Sequence, residues 1–432
     1  MNRNLKLCLM AVLLAVALPV TDLSLTPASS QWSFFWQMRA YIVNYSGIVA
    51  MFLMSLTVIL SIRHWPLEQF LRGLDQQYRL HKYLGIATVV MGLVHWLSFL
   101  SDDIAMDLGV VAMKEETYPF WKLVDALGDP AQLIGEWGFY LSAAFVLIAW
   151  IKFFPHKVFE FTHKAFPYLY LLLVVHMVMF FDADLWLSFS GVTLAMVVFV
   201  ASVGCVLNIL GLNGQKNSHQ GVIQSVKTLR NGVEVVVKSQ DFSYKPGQFV
   251  FVTFDAQEGS HPFSLASANY PNGEVRLLIK ASGDYTQALA SKLTAGQAVA
   301  LEGPYGHFNF DDEVNQHIWV AAGIGIAPFL TAIEGVSAGK SVVLFYSYSD
   351  TDDCLIQELK RRAINAGVTL YLTDTRSSPR LRCEDVLKRV NDLSESSVWY
   401  CGPLVFGKQL ELAFTQANLP QGRFHRELFD FR

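Results

Sequence analysis

The chain has 432 residues, 52% of them hydrophobic and 31 of them Phe, with 33 Lys and Arg against 37 Asp and Glu. A net charge of −4 without a basic cluster excludes a nucleic-acid partner. The five cysteines (Cys8, Cys205, Cys354, Cys383, Cys401) form no CxxC pair, which argues against iron–sulfur and structural zinc sites.

The apolar excess lies before Leu212, and six membrane spans are expected there: 5–21, 38–61, 81–101, 133–154, 163–182 and 186–210. Each is long enough for a hydrocarbon core of about 30 Å at ~1.5 Å rise per residue. The first also has the outline of a cleaved signal peptide, with Ala15-Val16-Ala17 as its site. The lack of a polar stretch before that site favours a retained span. Segment 62–82 carries Arg63, Arg72, Arg79 and Lys82, and segment 152–164 carries Lys152, Lys157 and Lys164. Segment 102–132 is acidic and has no arginine. By the positive-inside rule the basic loops and everything after the sixth span face the cytoplasm, so a multi-pass inner-membrane protein is expected.

Four histidines fall inside these spans, His81 and His95 on the third, His163 and His176 on the fifth. Ligating residues at membrane depth are costly and need a reason to be there. Both spans run from inside to outside, so His81 pairs in depth with His163, and His95 with His176. Fourteen residues of helix rise ~21 Å and return within about 40° of the same face. The thirteen between His163 and His176 leave the second about 140° off that face. Pro167 cannot donate to the carbonyl of His163, so a bend there can correct the phase. Single histidines of this kind often serve hydrogen bonding between helices; two matched pairs point to two six-coordinate b-type haems suited to electron transfer. Arg39, near the outer end of the second span, fits a haem propionate or an anionic acceptor, and equally an interfacial arginine reaching for headgroups.

From His219 to Phe310, short β-branched runs separated by Gly, Asn and Pro predict a small antiparallel barrel. Within it, His261-Pro262-Phe263-Ser264 offers a Pro-fixed turn and a hydroxyl for a flavin ring. Ile279-Lys280-Ala-Ser-Gly283-Asp-Tyr285-Thr286 then leads into a helix ending at Leu293. Lys280, Gly283 and Thr286 at that helix start predict a pyrophosphate cradle. Strands and helices alternate from His317 onward, the pattern of a doubly wound parallel sheet. Its first turn, Gly323-Ile-Gly325-Ile-Ala-Pro328, predicts backbone amides beside a dinucleotide phosphate. Cys401-Gly402-Pro403 follows a later strand, at the end where such sheets bind ligands, and predicts a nicotinamide contact. Arg376, beyond the Leu370–Thr373 strand, is placed to meet the extra phosphate of NADPH. The acids at Ser349–Asp353 favour NADH. NADPH is expected to be preferred, with NADH also accepted.

Taken together, the histidine pairs, HPFS, IKASGDYT, GIGIAP and CGP resemble the NADPH oxidase and ferric reductase family, and nearly the whole chain takes part. The resemblance implies a six-helix transmembrane haem bundle (1–212), an antiparallel β-barrel FAD domain (213–311) and a ferredoxin reductase-like α/β nicotinamide domain (312–432). It implies electron flow from NAD(P)H through FAD, then through inner and outer haems. The terminus Phe424-His-Arg-Glu427-Leu-Phe429 resembles the family's FxxExF, whose last aromatic covers the flavin. That makes Phe429 the stacking residue, with Phe431 its competitor. Two features differ. There is no EF-hand loop, so constitutive activity is expected, and Phe99 stands where oxidases of this family carry a further histidine.

The expected activity is a transmembrane NAD(P)H oxidase giving superoxide from oxygen on the outer side. A ferric-chelate reductase uses the same wire with another acceptor, and an electron-donor subunit would pass electrons to a periplasmic protein docked on 102–132. A haem-binding sensor or channel would need no hydride donor. Oligomeric state stays open.

Overall fold

The computed structural model describes residues 3–21, 34–63, 65–71, 73–109, 128–151, 153–181, 185–270, 272–337, 339–390 and 392–427. The chain divides after Asn213 into two compact units, with the short stretch Arg72–Asp75 assigned to the second.

The first unit is helical: α1 (Arg3–Ala17), α2 (Phe34–Ile59), α3 (Trp65–Leu71), α4 (Leu74–Asp107), α5 (Gly128–Trp150), α6 (His156–Phe180) and α7 (Phe189–Ile209). Among the described residues, five helices are long and apolar enough to cross a membrane: α2, α4, α5, α6 and α7. The expected first span is instead a 15-residue helix followed by a 3-10 turn at Leu18–Thr21. The other five expected spans coincide with helices. Close backbone packing joins α5 to α6, α2 to α7 and α6 to α7. The core is built from Val49, Phe52 and Leu53 of α2, Leu84 of α4, Tyr170 of α6 and Leu194 and Ala201 of α7. Pro167 lies inside α6, and the helix continues through it.

The second unit holds two sheets. The first comprises β1 (Ser218–Leu229), β2 (Gly232–Lys238), β3 (Phe249–Thr253), β4 (His261–Ser264), β5 (Glu274–Lys280) and β6 (Ala298–Tyr305), with α8 (Asp284–Lys292) between the last two. The order is β4-β3-β6-β1-β2-β5, every pairing antiparallel. A bridge between Leu265 and Leu277 joins its two edges. Alternation puts Val233, Val235 and Val237 of β2 and Val250 and Val252 of β3 into one core. The HPFS segment, expected as a turn, is β4 itself: it pairs with Phe249–Val252, and Pro262 is tolerated because β4 is an edge strand in the ladder.

The second sheet is parallel, in the order β11-β10-β7-β8-β9. Its elements are β7 (Gln316–Ala322), α9 (Ala327–Ala332), β8 (Ser341–Tyr348), α10 (Asp353–Asn365), β9 (Thr369–Asp374), α11 (Cys383–Leu387), β10 (Ser396–Cys401), α12 (Leu404–Gln416) and β11 (Phe424–Arg426). Along β7, Trp319 and Ala321 face the core shared with α9 and α10, while Ile318 and Val320 face α11 and α12. Burial on both faces is what a doubly wound sheet requires. The strand β11 was not expected; three residues carry too little pattern to announce a strand.

Candidate functional site

The four intramembrane histidines come together in pairs. His81 and His163 lie across the space between α4 and α6 with ring centroids 5.9 Å apart. His95 and His176 lie further along the same two helices. Three of the four rings are anchored by a backbone carbonyl of a neighbouring helix: His81 Nδ1 to Thr57 O at 2.7 Å, His95 Nδ1 to Val43 O at 2.9 Å, and His176 Nδ1 to Ala131 O at 2.8 Å. A carbonyl only accepts, so each Nδ1 carries the proton and each Nε2 keeps its lone pair. His163 is instead fixed by stacking on Phe159. The anchoring carbonyls come from α2 and α5, and sequence spacing does not point to them.

Glycines make room for the outer pair. A Cβ on Gly135 would lie 2.3 Å from His176 Cε1, and one on Gly47 3.1 Å from His95 Cε1. A helix-interior glycine costs about 1 kcal/mol against alanine, and that cost was the sequence signal for both positions. Arg39 donates Nη2 to Phe99 O at 2.8 Å and lies over the rings of Trp36 and Phe99.

In the second unit the HPFS and GDYT motifs meet, as His261 stacks on Tyr285 of the first turn of α8. Ser264 and Phe263 are half-buried on β4 beside this pair. Thr286 Oγ accepts the amides of Ser282 (3.0 Å) and Gly283 (3.1 Å), so its hydroxyl shapes the turn before α8 and Gly283 sits at its start. Thr286, expected in the phosphate cradle, thus also fixes the local backbone of that cradle. Ile279 is 1% exposed in the core, which leaves only its backbone for a ligand. Lys280 lines a cleft with Gly323, Ile324, Tyr346, Asp350 and Asp352.

The two glycines of the parallel sheet's first turn differ in role. Gly323 has φ +56° and faces open space. Gly325 packs against the end of β10, where a Cβ would meet Cys401 O at 2.3 Å. Tyr346 donates to Gly323 O (3.1 Å) and pairs with Thr351 Oγ (2.8 Å), tying the turn to the loop after β8. Pro328 is buried in the first turn of α9. The turn Cys401-Gly402-Pro403 is held by Tyr400, whose hydroxyl donates to Pro403 O at 2.7 Å. Cys401 is buried and its thiol faces Glu427 Oε2 at 3.6 Å. Burial pushes both groups well above their ordinary pKa, which favours the protonated thiol and carboxyl. Glu427 belongs to this site although the sequence reading used it only as part of a terminal motif. Phe429 and Phe431 lie outside the described residues, as does 110–127 of the outer segment.

Arg376 is exposed, and its guanidinium grips Asp374 through two nitrogens, at 2.9 and 2.6 Å. The hydrogen bonds from Arg376 hold the Asp374 carboxyl down to about 2.

Two family descriptions match the chain, a ferric reductase like transmembrane component over residues 46–174 and an FAD-binding domain over residues 223–309. The reductase component of propane 2-monooxygenase from Rhodococcus jostii is 24% identical over 229 residues, 46% of this chain and 62% of that one. The gamma subunit of sulfhydrogenase 2 from Pyrococcus furiosus is 30% identical over 228 residues, 47% of this chain and 76% of that one. The ferric/cupric reductase transmembrane component 7 of Saccharomyces cerevisiae is 35% identical over 105 residues, 23% of this chain and 17% of that one. The chain therefore spans less than two thirds of the first and third of these relatives.

Long apolar helices followed by a flavin sheet and a parallel nucleotide sheet define a membrane flavoprotein of the oxidoreductase class. In its transmembrane segment and its FAD-binding segment the chain matches the ferric reductase-like family of transmembrane flavoproteins.

Proposed function

We propose that this protein carries electrons from cytoplasmic NAD(P)H through FAD and two b-type haems to an acceptor on the outer side of the membrane, with oxygen, giving superoxide, as the leading acceptor. The observation that carries this reading is the paired histidine geometry. Two imidazoles ligating one iron from opposite sides have ring centroids about 6 Å apart, from Fe–N bonds of about 2 Å. The His81–His163 separation of 5.9 Å matches that span. With Nδ1 committed to carbonyls, His81, His95 and His176 keep on Nε2 the lone pair that a haem iron would take.

A flavin converts between hydride and single-electron transfer, which is why one belongs between a nicotinamide and a haem. The residues proposed to hold FAD are His261, Pro262, Phe263, Ser264, Lys280, Gly283 and Thr286, with Phe429 or Phe431 covering it. His261 and Tyr285 form a flat wall, and Thr286 sets the turn whose later amides open α8. For the nucleotide, Gly323 offers an open backbone turn and Gly402-Pro403 a rigid one. The Cys401 thiol, protonated by burial and held by Glu427, orients the nicotinamide end as a neutral surface. Arg39 is proposed to serve the outer haem or its acceptor.

A ferric-chelate reductase is the second reading, favoured by Phe99 at the position where oxidases of this family carry a histidine. Purified, haem-loaded protein with NADPH decides between them. Cytochrome c reduction abolished by superoxide dismutase supports the oxidase. Dismutase-insensitive reduction of a ferric chelate supports the alternative, and reduction of neither leaves the electron-donor role for a periplasmic protein.

A further inference from the structure

The helix α10 follows directly on the acidic loop Ser349–Asp352, which lines the cleft with Gly323 and Lys280. Two sets of contacts tie this helix to the flavin-side sheet. At its start, the β1–β2 turn donates the Arg230 amide to Asp352 Oδ2 at 2.8 Å and Asn231 Nδ2 to Asp350 Oδ2 at 3.3 Å. Further along, Arg276 of β5 grips Glu358 with both terminal nitrogens, at 2.7 and 3.0 Å, and Glu234 of β2 at 2.7 Å. Arg362, one turn on, meets Glu358 at 2.6 Å and Glu334 at 2.9 Å. The chain Glu234–Arg276–Glu358–Arg362–Glu334 thus alternates in sign from sheet to helix.

These charges are largely withdrawn from water, since the side chains of Arg276 and Arg362 are 13% and 12% exposed. Removing one partner from such a set leaves a desolvated charge without compensation. The two-nitrogen grip on Glu358 is a geometry that lysine lacks. Arg276 is also joined to the flavin motif: its carbonyl accepts the Ala266 amide at 2.8 Å and its amide donates to Ser267 Oγ at 3.1 Å. A continuous path of hydrogen bonds and ion pairs therefore runs from the segment after HPFS to the loop of the nucleotide cleft.

We propose that Arg276 is a positioning residue for transfer between nicotinamide and flavin, fixing α10 and the loop of Asp350 and Asp352 against the flavin-side sheet. The proposal rests on the NAD(P)H–FAD reading above. Reacting atoms must approach to about 3–3.5 Å, and a misplacement of about 1 Å costs on the order of a hundredfold in rate. The two cofactors are gripped by different sheets, so the contacts between the sheets set their separation. Arg276 acts through Glu358, not on a cofactor.

The test uses the full chain with Arg276→Ala, Arg276→Lys, Glu358→Gln and the double variant Arg276→Ala/Glu358→Gln. Anaerobic flavin reduction at rising NADPH separates nucleotide affinity from the limiting rate. FAD content and nucleotide Kd stay within about twofold of wild type, while Arg276→Ala lowers the limiting rate by about 10- to 100-fold. Arg276→Lys is intermediate, and the double variant loses no more than the worse single one, as residues acting as a pair do. In the cofactor-free protein, hydrogen exchange at residues 349–355 rises in Arg276→Ala. A wild-type limiting rate in Arg276→Ala, or additive losses in the double variant, overturns the proposal. Should Arg276→Ala fail to fold or to hold FAD, Glu358→Gln decides by the same measurements. If neither NADPH nor NADH reduces the wild-type flavin, the underlying reading falls, and hydrogen exchange alone judges the clamp.

Discussion

His261 and Tyr285 stack face to face, with ring centroids 4.0 Å apart and planes inclined by 18°. One belongs to β4 and the other to the first turn of α8, so a single contact fixes the distance between the two flavin motifs. An aromatic pair of this kind is worth about 0.5–1.5 kcal/mol beyond burial, which is roughly 2- to 10-fold in affinity if the wall exists to hold FAD. Tyr285→Ala should weaken FAD binding by that factor, and Tyr285→Trp, which keeps a large flat ring there, should preserve it. Titration of the apoprotein by flavin fluorescence gives the answer. Equal affinity in Tyr285→Ala would remove this wall from the flavin site.

The histidine pairs predict where each haem is lost. His95→Ala and His176→Ala should remove the outer haem, and His81→Ala and His163→Ala the inner one, read as one haem in place of two per chain. Gly135 sharpens this. Gly135→Ala improves helix propensity by about 1 kcal/mol, yet its methyl would collide with the His176 ring. The variant should keep its helix content and lose or perturb the outer haem spectrum. A fully haem-loaded Gly135→Ala protein with an unshifted spectrum would show that the ring has room to move.

Coenzyme choice should depend on the Asp374–Arg376 pair as much as on the arginine. Arg376→Ala is expected to raise the KM for NADPH and leave that for NADH nearly unchanged. Asp374→Asn releases the guanidinium from its carboxylate and should lower the KM for NADPH severalfold. Both are read from steady-state kinetics with the two coenzymes. Parallel changes for NADPH and NADH would place selectivity elsewhere.

Glu427 gives a pH signature. Burial raises its pKa well above the ordinary 4.5, so the folded protein holds a proton that the unfolded chain releases. Its contribution to stability is complete below that ordinary value and is lost as pH rises through the folded one. Glu427→Gln removes this dependence. As pH rises above the ordinary carboxyl value, the difference in Tm should shift steadily in favour of the variant. A difference that stays flat across the series would mean the carboxyl is ionised in the folded state.

Much of this was legible in the sequence because it rests on periodicity and on residue types costly in their setting. Apolar runs marked five of the long helices, alternation marked the strands β1, β2, β3, β5 and β6, and four histidines at membrane depth marked the paired site. Short elements escaped: β4 read as a turn because Pro262 ends most strands, and β11, paired only at the edge of the sheet beside β10, because three residues carry too little pattern. Only the tertiary structure decided which partners each residue meets. The carbonyls of Thr57, Val43 and Ala131 orient the histidine rings, Asp374 engages Arg376, and Glu358 receives Arg276 across 82 positions of sequence. Periodicity along a chain reports which face of an element is apolar. The hydrogen bonds and ion pairs that orient a site join elements far apart in sequence, and no spacing rule records them.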